Sequence, residues 1–182
     1  MLDRRNDLGD LQLDQISSQI AATFFNNFDL SNIKTIHIYL PIVSKVEVNT
    51  WVIINQLKQA FPHIDIVVPK SNFEENTMDN YILVQEDLKV NKWGIPEPTK
   101  GEVIDPESID LIFVPLLAFD EKGYRVGYGK GFYDRFFGSL DTNIIKVGVS
   151  SFDESVEISD KDQFDIPLDF CISPNKFWNF KR

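Results

Sequence analysis

The sequence predicts an α/β protein, a single three-layer α/β/α domain over residues 1–182 with a mostly parallel sheet. Three observations carry this prediction. Apolar runs of strand length alternate along the chain with segments whose apolar residues recur at three- and four-residue spacing. No internal repeat, low-complexity segment or Ser- or Gly-rich linker divides the 182 residues. The chain is 43% hydrophobic, enough for a substantial core, yet no apolar run approaches the ~18 residues that span a bilayer.

In chain order, Leu13, Ile16, Ile20, Phe24 and Phe28 recur at helical spacing and predict an amphipathic helix over roughly 12–28, packed on the sheet. Lys34–Leu40 (KTIHIYL) alternates as a strand and stops at Pro41, with His37 on the opposite face from Ile36 and Ile38. We expect His37 to be a partly buried strand residue. After a loop, Trp51, Ile54 and Leu57 mark a helix over about 49–61. Ile64–Val68 and Tyr81–Val84 read as strands, with Met78 at the core or its rim. Residues 92–98 (KWGIPEP) hold two prolines and a glycine, so an irregular, stiff loop presenting Trp93 is expected. Leu111–Val114 is a strand, Phe132–Phe137 a short helix, Asp141–Asn143 a turn, and Ile144–Val149 and Phe170–Ser173 the closing strands.

Composition excludes several classes of function. A net charge of −10 argues against a sequence-independent nucleic-acid binder, which needs clustered Lys and Arg. Two scattered histidines and one cysteine make a zinc site improbable. Cys171 has no partner for an internal disulfide and reads as a small core residue. With no secretion signal after Met1, the expected compartment is the cytoplasm, with no membrane association and no obligate protein partner.

Against this acidic background the cations gather in one place. Gly127, Gly129 and Gly131 alternate around Lys130, with Arg125 before them and Asp134 after. Alternate glycines let backbone N–H groups converge on an anion, and the following helix start adds donors. Arg125 and Lys130 supply charge, and Asp134 can hold a hard cation such as Mg²⁺ against phosphates. It is not a Walker loop: five residues separate Gly123 from Gly129, and Gly131 stands where Ser or Thr belongs. Nor is it a dinucleotide fingerprint, whose third Gly falls on Phe132. The bland alternative is a Gly-rich turn between strand and helix.

The phrase Leu117–Asp120, Gly123, Arg125, Gly127, Gly129, Gly131, Phe132, Tyr133, Asp134 closely resembles the signature of the 5-formyltetrahydrofolate cyclo-ligase family, also called 5,10-methenyltetrahydrofolate synthetases. The resemblance extends from about Ile36 to Ser173 and includes Gly94-Ile95-Pro96-Glu97-Pro98. It implies ATP- and Mg²⁺-dependent conversion of 5-formyltetrahydrofolate to 5,10-methenyltetrahydrofolate, with ADP and phosphate released. The formyl oxygen attacks the γ-phosphate, then N10 closes on the activated carbon and expels phosphate.

The resemblance also implies roles. Arg125 and Lys130 are the catalytic cations. Val126, Gly127, Tyr128, Gly129, Gly131, Phe132 and Tyr133 join them around ATP, and Tyr128 to Phe132 also border the folate. Glu47 receives the pterin, Ile42 forms part of that wall, and Trp93 is the aromatic near the folate. Asp134 and Asp165 serve the metal, although Phe164 stands where the family often has His. Arg4 and Arg5 match the end of a basic N-terminal helix that reaches ATP. The Lys and Arg that usually precede them have no counterpart, so either the natural start lies upstream or the ATP grip is reduced. Two alternatives remain: a non-catalytic nucleotide- or folate-binding module, and a related ATP-dependent enzyme acting on another amide-bearing metabolite.

Overall fold

The computed structural model describes residues 1–140 and 144–181; the turn expected at Asp141–Asn143 lies outside them. Two helices open the chain, α1 (Leu2–Asn6) and α2 (Asp10–Asn27), followed by β1 (Thr35–His37), α3 (Trp51–Ala60), β2 (Asp65–Asn72) and β3 (Thr77–Ile82). Two short strands, β4 (Leu88–Val90) and β5 (Pro96–Pro98), form a separate ribbon. The central strand β6 (Leu111–Pro115) leads into the hairpin β7 (Ala118–Phe119) and β8 (Arg125–Val126), then α4 (Phe132–Gly138). The chain closes with β9 (Ile145–Val149), β10 (Phe170–Ile172) and β11 (Phe177–Asn179).

Seven strands form the main sheet in the order β11-β10-β9-β6-β1-β2-β3. Its five inner strands are parallel, and the edge strands β3 and β11 run antiparallel to their neighbours. The chain leaves β1 in one direction through α3 to β2 and later leaves β6 in the other through α4 to β9. Right-handed crossovers taken in opposite directions place their helices on opposite faces. Accordingly Ile36, Ile38, Leu111 and Phe113 pack with Ile20, Phe24 and Leu57 from α2 and α3. Ile112, Val114 and Cys171 face Phe136 and Phe137 of α4. The strand order reverses between β1 and β6, which is where open α/β sheets form ligand crevices.

Several expectations need adjustment. β2 runs through Pro69 to Asn72, because beyond the end of β1 it pairs with β3 alone, and β3 begins four residues before the expected Tyr81. Residues 96–98 are not irregular: an edge strand tolerates proline, and Glu97 pairs with Lys89. His37 is fully buried rather than partly, beneath Tyr133 and Phe136. Among the described residues no helix is long and apolar enough to cross a membrane.

Candidate active site

A cleft of about 760 Å³ opens at the carboxyl ends of β1 and β6. Tyr39, Leu40 and Ile42 line it just beyond β1, and Pro115 does so at the end of β6. Its size suits a small-molecule site.

One wall is the glycine-rich loop, set in place by the hairpin before it. Asp120 builds the β7–β8 turn: its Oδ1 accepts N–H bonds from Lys122 (2.9 Å) and Tyr124 (3.0 Å), and its Oδ2 pairs with Lys161 at 2.7 Å. Those bonds, with the Lys161 charge, outweigh burial and hold its carboxyl below the usual range. Gly123 completes the turn at φ +85, and a Cβ there would meet the Leu168 carbonyl oxygen at 2.7 Å, so only glycine fits. Much of the sequence signature is therefore scaffold.

Arg125 emerges from β8 with its side chain 7% exposed. It donates from Nη1 to the Ile166 carbonyl (2.6 Å) and from Nη2 to Asp134 Oδ1 (2.8 Å), which also accepts the Ile166 N–H at 3.1 Å. The guanidinium thus ties the start of α4 to the segment before β10. Lys130 differs: it is exposed, and among the described residues its ammonium has no hydrogen bond or ion pair. Its carbonyl accepts from Arg135, which also donates Nε to the Asn76 carbonyl at 3.0 Å.

Glu47 lines the same cleft. The 3-10 turn Val43–Lys45 and the left-handed Val46 (φ 51) return the chain so that this carboxylate points inward, 5% exposed. Its Oε2 accepts the Ile42 N–H (2.8 Å) and its Oε1 accepts the Tyr128 hydroxyl (3.0 Å). Burial raises the Glu47 pKa, partly offset by those two bonds and the charges of Arg5 and Lys45. Tyr128 is pushed up to about 12 by burial and then by the Glu47 charge. The Tyr128 oxygen in turn accepts a bond from Arg5 Nη2.

The N-terminal arginines diverge. Arg5 is buried behind Tyr128, with its guanidinium 5.6 Å from that ring centre. Arg4 pairs with Glu154 at 2.7 Å and lies 4.3 Å over the Phe152 ring. Neither lines the cleft. Trp93 does, 47% exposed and packed on Phe73 with ring centres 3.8 Å apart; Phe73 meets Phe132 edge-on at 5.4 Å. Tyr133 is half-buried, packed edge-on against His37 with ring centres 6.3 Å apart, and loss of solvent around its hydroxyl raises its pKa. Asp134 and Asp165 both line the cleft, while Asp165 Oδ2 accepts the Asp162 N–H at 3.0 Å.

The sequence-predicted residues from Ile42 to Asp165 thus share one cleft, with Arg5 behind its wall and Arg4 away from it. Phe73, Tyr39, Lys45 and Asp160 line it as well and were not anticipated. Phe73 carried a signal, a lone aromatic inside the polar turn Ser71–Asn76. Tyr39 shares the strand parity of His37. Asp160 lies in an aperiodic stretch that offered none.

Comparison with known proteins speaks to the family and the fold. A sequence model described as the 5-formyltetrahydrofolate cyclo-ligase family matches residues 1–174. A 5-formyltetrahydrofolate cyclo-ligase of Mycoplasma genitalium is 28% identical over 94% of this chain and 92% of its own. The Escherichia coli K12 protein of that name is 31% identical over 74% of this chain and 75% of its own. The NMR structure of Aquifex aeolicus 5,10-methenyltetrahydrofolate synthetase superposes with a TM-score of 0.82 at 29% identity, covering 100% of this chain and 89% of that one.

Proposed function

The chain belongs to the 5-formyltetrahydrofolate cyclo-ligase family, and from that premise we propose that its cleft converts 5-formyltetrahydrofolate to 5,10-methenyltetrahydrofolate while ATP becomes ADP and phosphate. The observation that carries the assignment of sites is the pairing of two unlike groups in one cleft. An uncommitted Lys130 on a glycine loop and the inward carboxylate of Glu47 line the same cleft.

In this reading the loop N–H groups of Gly127–Gly131 cradle the ATP phosphates, and Lys130 meets the charge that grows on the transferred phosphoryl group. Glu47 accepts hydrogen bonds from the aminopyrimidine edge of the pterin. Trp93, backed by Phe73, and Phe132 flank the folate rings, with Ile42 in the wall. The formyl oxygen takes the γ-phosphoryl group from ATP, N10 attacks the formyl carbon, and phosphate leaves with that oxygen. No protein nucleophile is required; the side chains align the reactants and screen charge. Arg125 holds the loop against α4 through Asp134 and Ile166, and Arg5 supports Tyr128 from behind.

Among the described residues no three His, Cys, Asp or Glu side chains converge as a metal site. That donor set still fits Mg²⁺, which takes one or two carboxylates and completes its shell with water and phosphate oxygens. Asp134, through its Oδ2, and Asp165 would hold it. Bound there it would neutralise phosphate charge. The domain reads as one unit acting in the cytoplasm on small molecules alone.

The test is direct. The protein is mixed with ATP, Mg²⁺ and 5-formyltetrahydrofolate, and near-ultraviolet absorbance of the methenyl product is followed against a control without ATP. ATP-dependent absorbance is expected. A folded protein that binds both ligands without turnover would instead be a binding module.

A further inference from the structure

Tyr128 connects the glycine loop to Glu47. It sits between Gly127 and Gly129 in the loop read as the phosphate cradle, yet its hydroxyl reaches Glu47 Oε1 at 3.0 Å. A phenol has one proton. Arg5 Nη2 donates to the Tyr128 oxygen, so the phenol proton is directed to Glu47 and the order Arg5 to Tyr128 to Glu47 is fixed. Glu47 Oε2 already accepts the Ile42 N–H at 2.8 Å. Glu47 is 5% exposed, so a ligand that presents two donors to this carboxylate competes with Tyr128 for Oε1.

The loop has little else to hold Tyr128 in place. A Cβ added at Gly127 or Gly129 would meet nothing within 4 Å, and Gly129 sits at φ +75. The residues from Val126 to Lys130 are exposed, Tyr128 at 43%. Arg5, by contrast, is 4% exposed, and its Nε is buried with no hydrogen-bond partner. Of the three residues in this chain of contacts, the tyrosine flanked by two glycines is the least enclosed.

We propose that Tyr128 is a positioning residue that latches the glycine loop to Glu47, so that folate and nucleotide each favour binding of the other. The inference rests on the reading of Glu47 as the folate acceptor and of the loop as the nucleotide cradle. Folate that claims Glu47 Oε1 releases Tyr128, and the loop becomes free to close on phosphates. Phosphates that draw in the loop N–H groups withdraw Tyr128 and leave Glu47 open to folate. Linkage requires the two effects to be equal in size. Their ceiling is the worth of one hydrogen bond to a charged group, roughly ten- to a hundredfold in affinity, and the half-exposed Tyr128 puts the effect at the lower end.

The experiment is calorimetric titration of 5-formyltetrahydrofolate into the wild-type protein and into Tyr128→Phe. Each is titrated alone and with saturating Mg²⁺ and β,γ-imido ATP, which is not turned over. Phe keeps the ring and, at this exposed position, the fold. In the wild type the nucleotide analogue should tighten folate binding roughly tenfold. In Tyr128→Phe, folate should bind more tightly than in the wild type when titrated alone, and the effect of the analogue should fall to near unity. Equal ratios in the two proteins, or a wild-type ratio of one with folate still bound, would overturn the latch and leave the site reading intact. Loss of folate binding in Tyr128→Phe alone would make Tyr128 a direct folate contact, which also overturns the latch. No folate binding by either protein would overturn the site reading and the latch together.

Discussion

His37 should make the protein acid-sensitive in a way that one substitution removes. Its ring is fully buried beside Tyr133 and Phe136, at 6.3 and 6.1 Å between ring centres. Among the described residues neither ring nitrogen has a hydrogen-bond partner, apart from a weak approach to its own backbone. Burial drives its pKa from 6.5 down to about 3, so the folded protein keeps it neutral where the unfolded chain protonates it. The unfolded state then binds more protons between those two values, and stability falls as pH drops below 6.5. From pH 7 to pH 5 the loss attributable to this group is about 2 kcal/mol, from the free energy of protonating an unperturbed imidazole. Urea denaturation at both pH values, on the wild type and His37→Met, isolates it, because every other titrating group is common to the two proteins. Methionine fills the space with an unbranched apolar chain and suits aromatic neighbours. The wild type should lose about 2 kcal/mol more than the variant. Equal losses would mean that His37 is protonated in the folded state, and the reasoning from burial would be wrong.

Lys130→Ala should reduce kcat roughly 10²-fold or more with folding unchanged, the scale of removing one preorganised electrostatic donor; near-normal turnover in the methenyl absorbance assay would remove Lys130 from the chemistry. Trp93→Ala should raise the KM for folate roughly tenfold and leave that for ATP unaltered, since the ring loses stacking area on one ligand only; steady-state kinetics with each substrate varied separate the two. Arg125→Lys keeps the charge but cannot bond Asp134 Oδ1 and the Ile166 carbonyl as a fork. It should cost about 1–3 kcal/mol in urea denaturation, because a hydrogen bond to a buried charged group is lost.

What the sequence made legible, and what it did not, follows from which interactions are local. Helices and inner strands announce themselves because period and burial coincide: Leu111 and Phe113 serve one face of the sheet, Ile112 and Val114 the other. The glycine loop was legible because positive φ is a property of single residues. Pairing that depends on a distant partner was not. Pro69 reads as a strand end in sequence, yet β2 continues because β3 offers it an edge, and the prolines at 96 and 98 sit in a ribbon for the same reason. The same division runs through the site. Glu47, Tyr128 and Arg5 each stood out as a residue near a ligand, but sequence assigned Arg5 to ATP with Arg4. Only the fold shows that Arg5 turns behind Tyr128 while Arg4 leaves for Glu154. Adjacent arginines on one helical turn point about 100° apart, so a shared role was the less probable outcome. The buried one, held against a tyrosine that bonds a buried carboxylate, stands behind Glu47 as much as behind the glycine loop. A site whose two substrates must react with each other gains from such a shared contact, because alignment of one is then felt by the other.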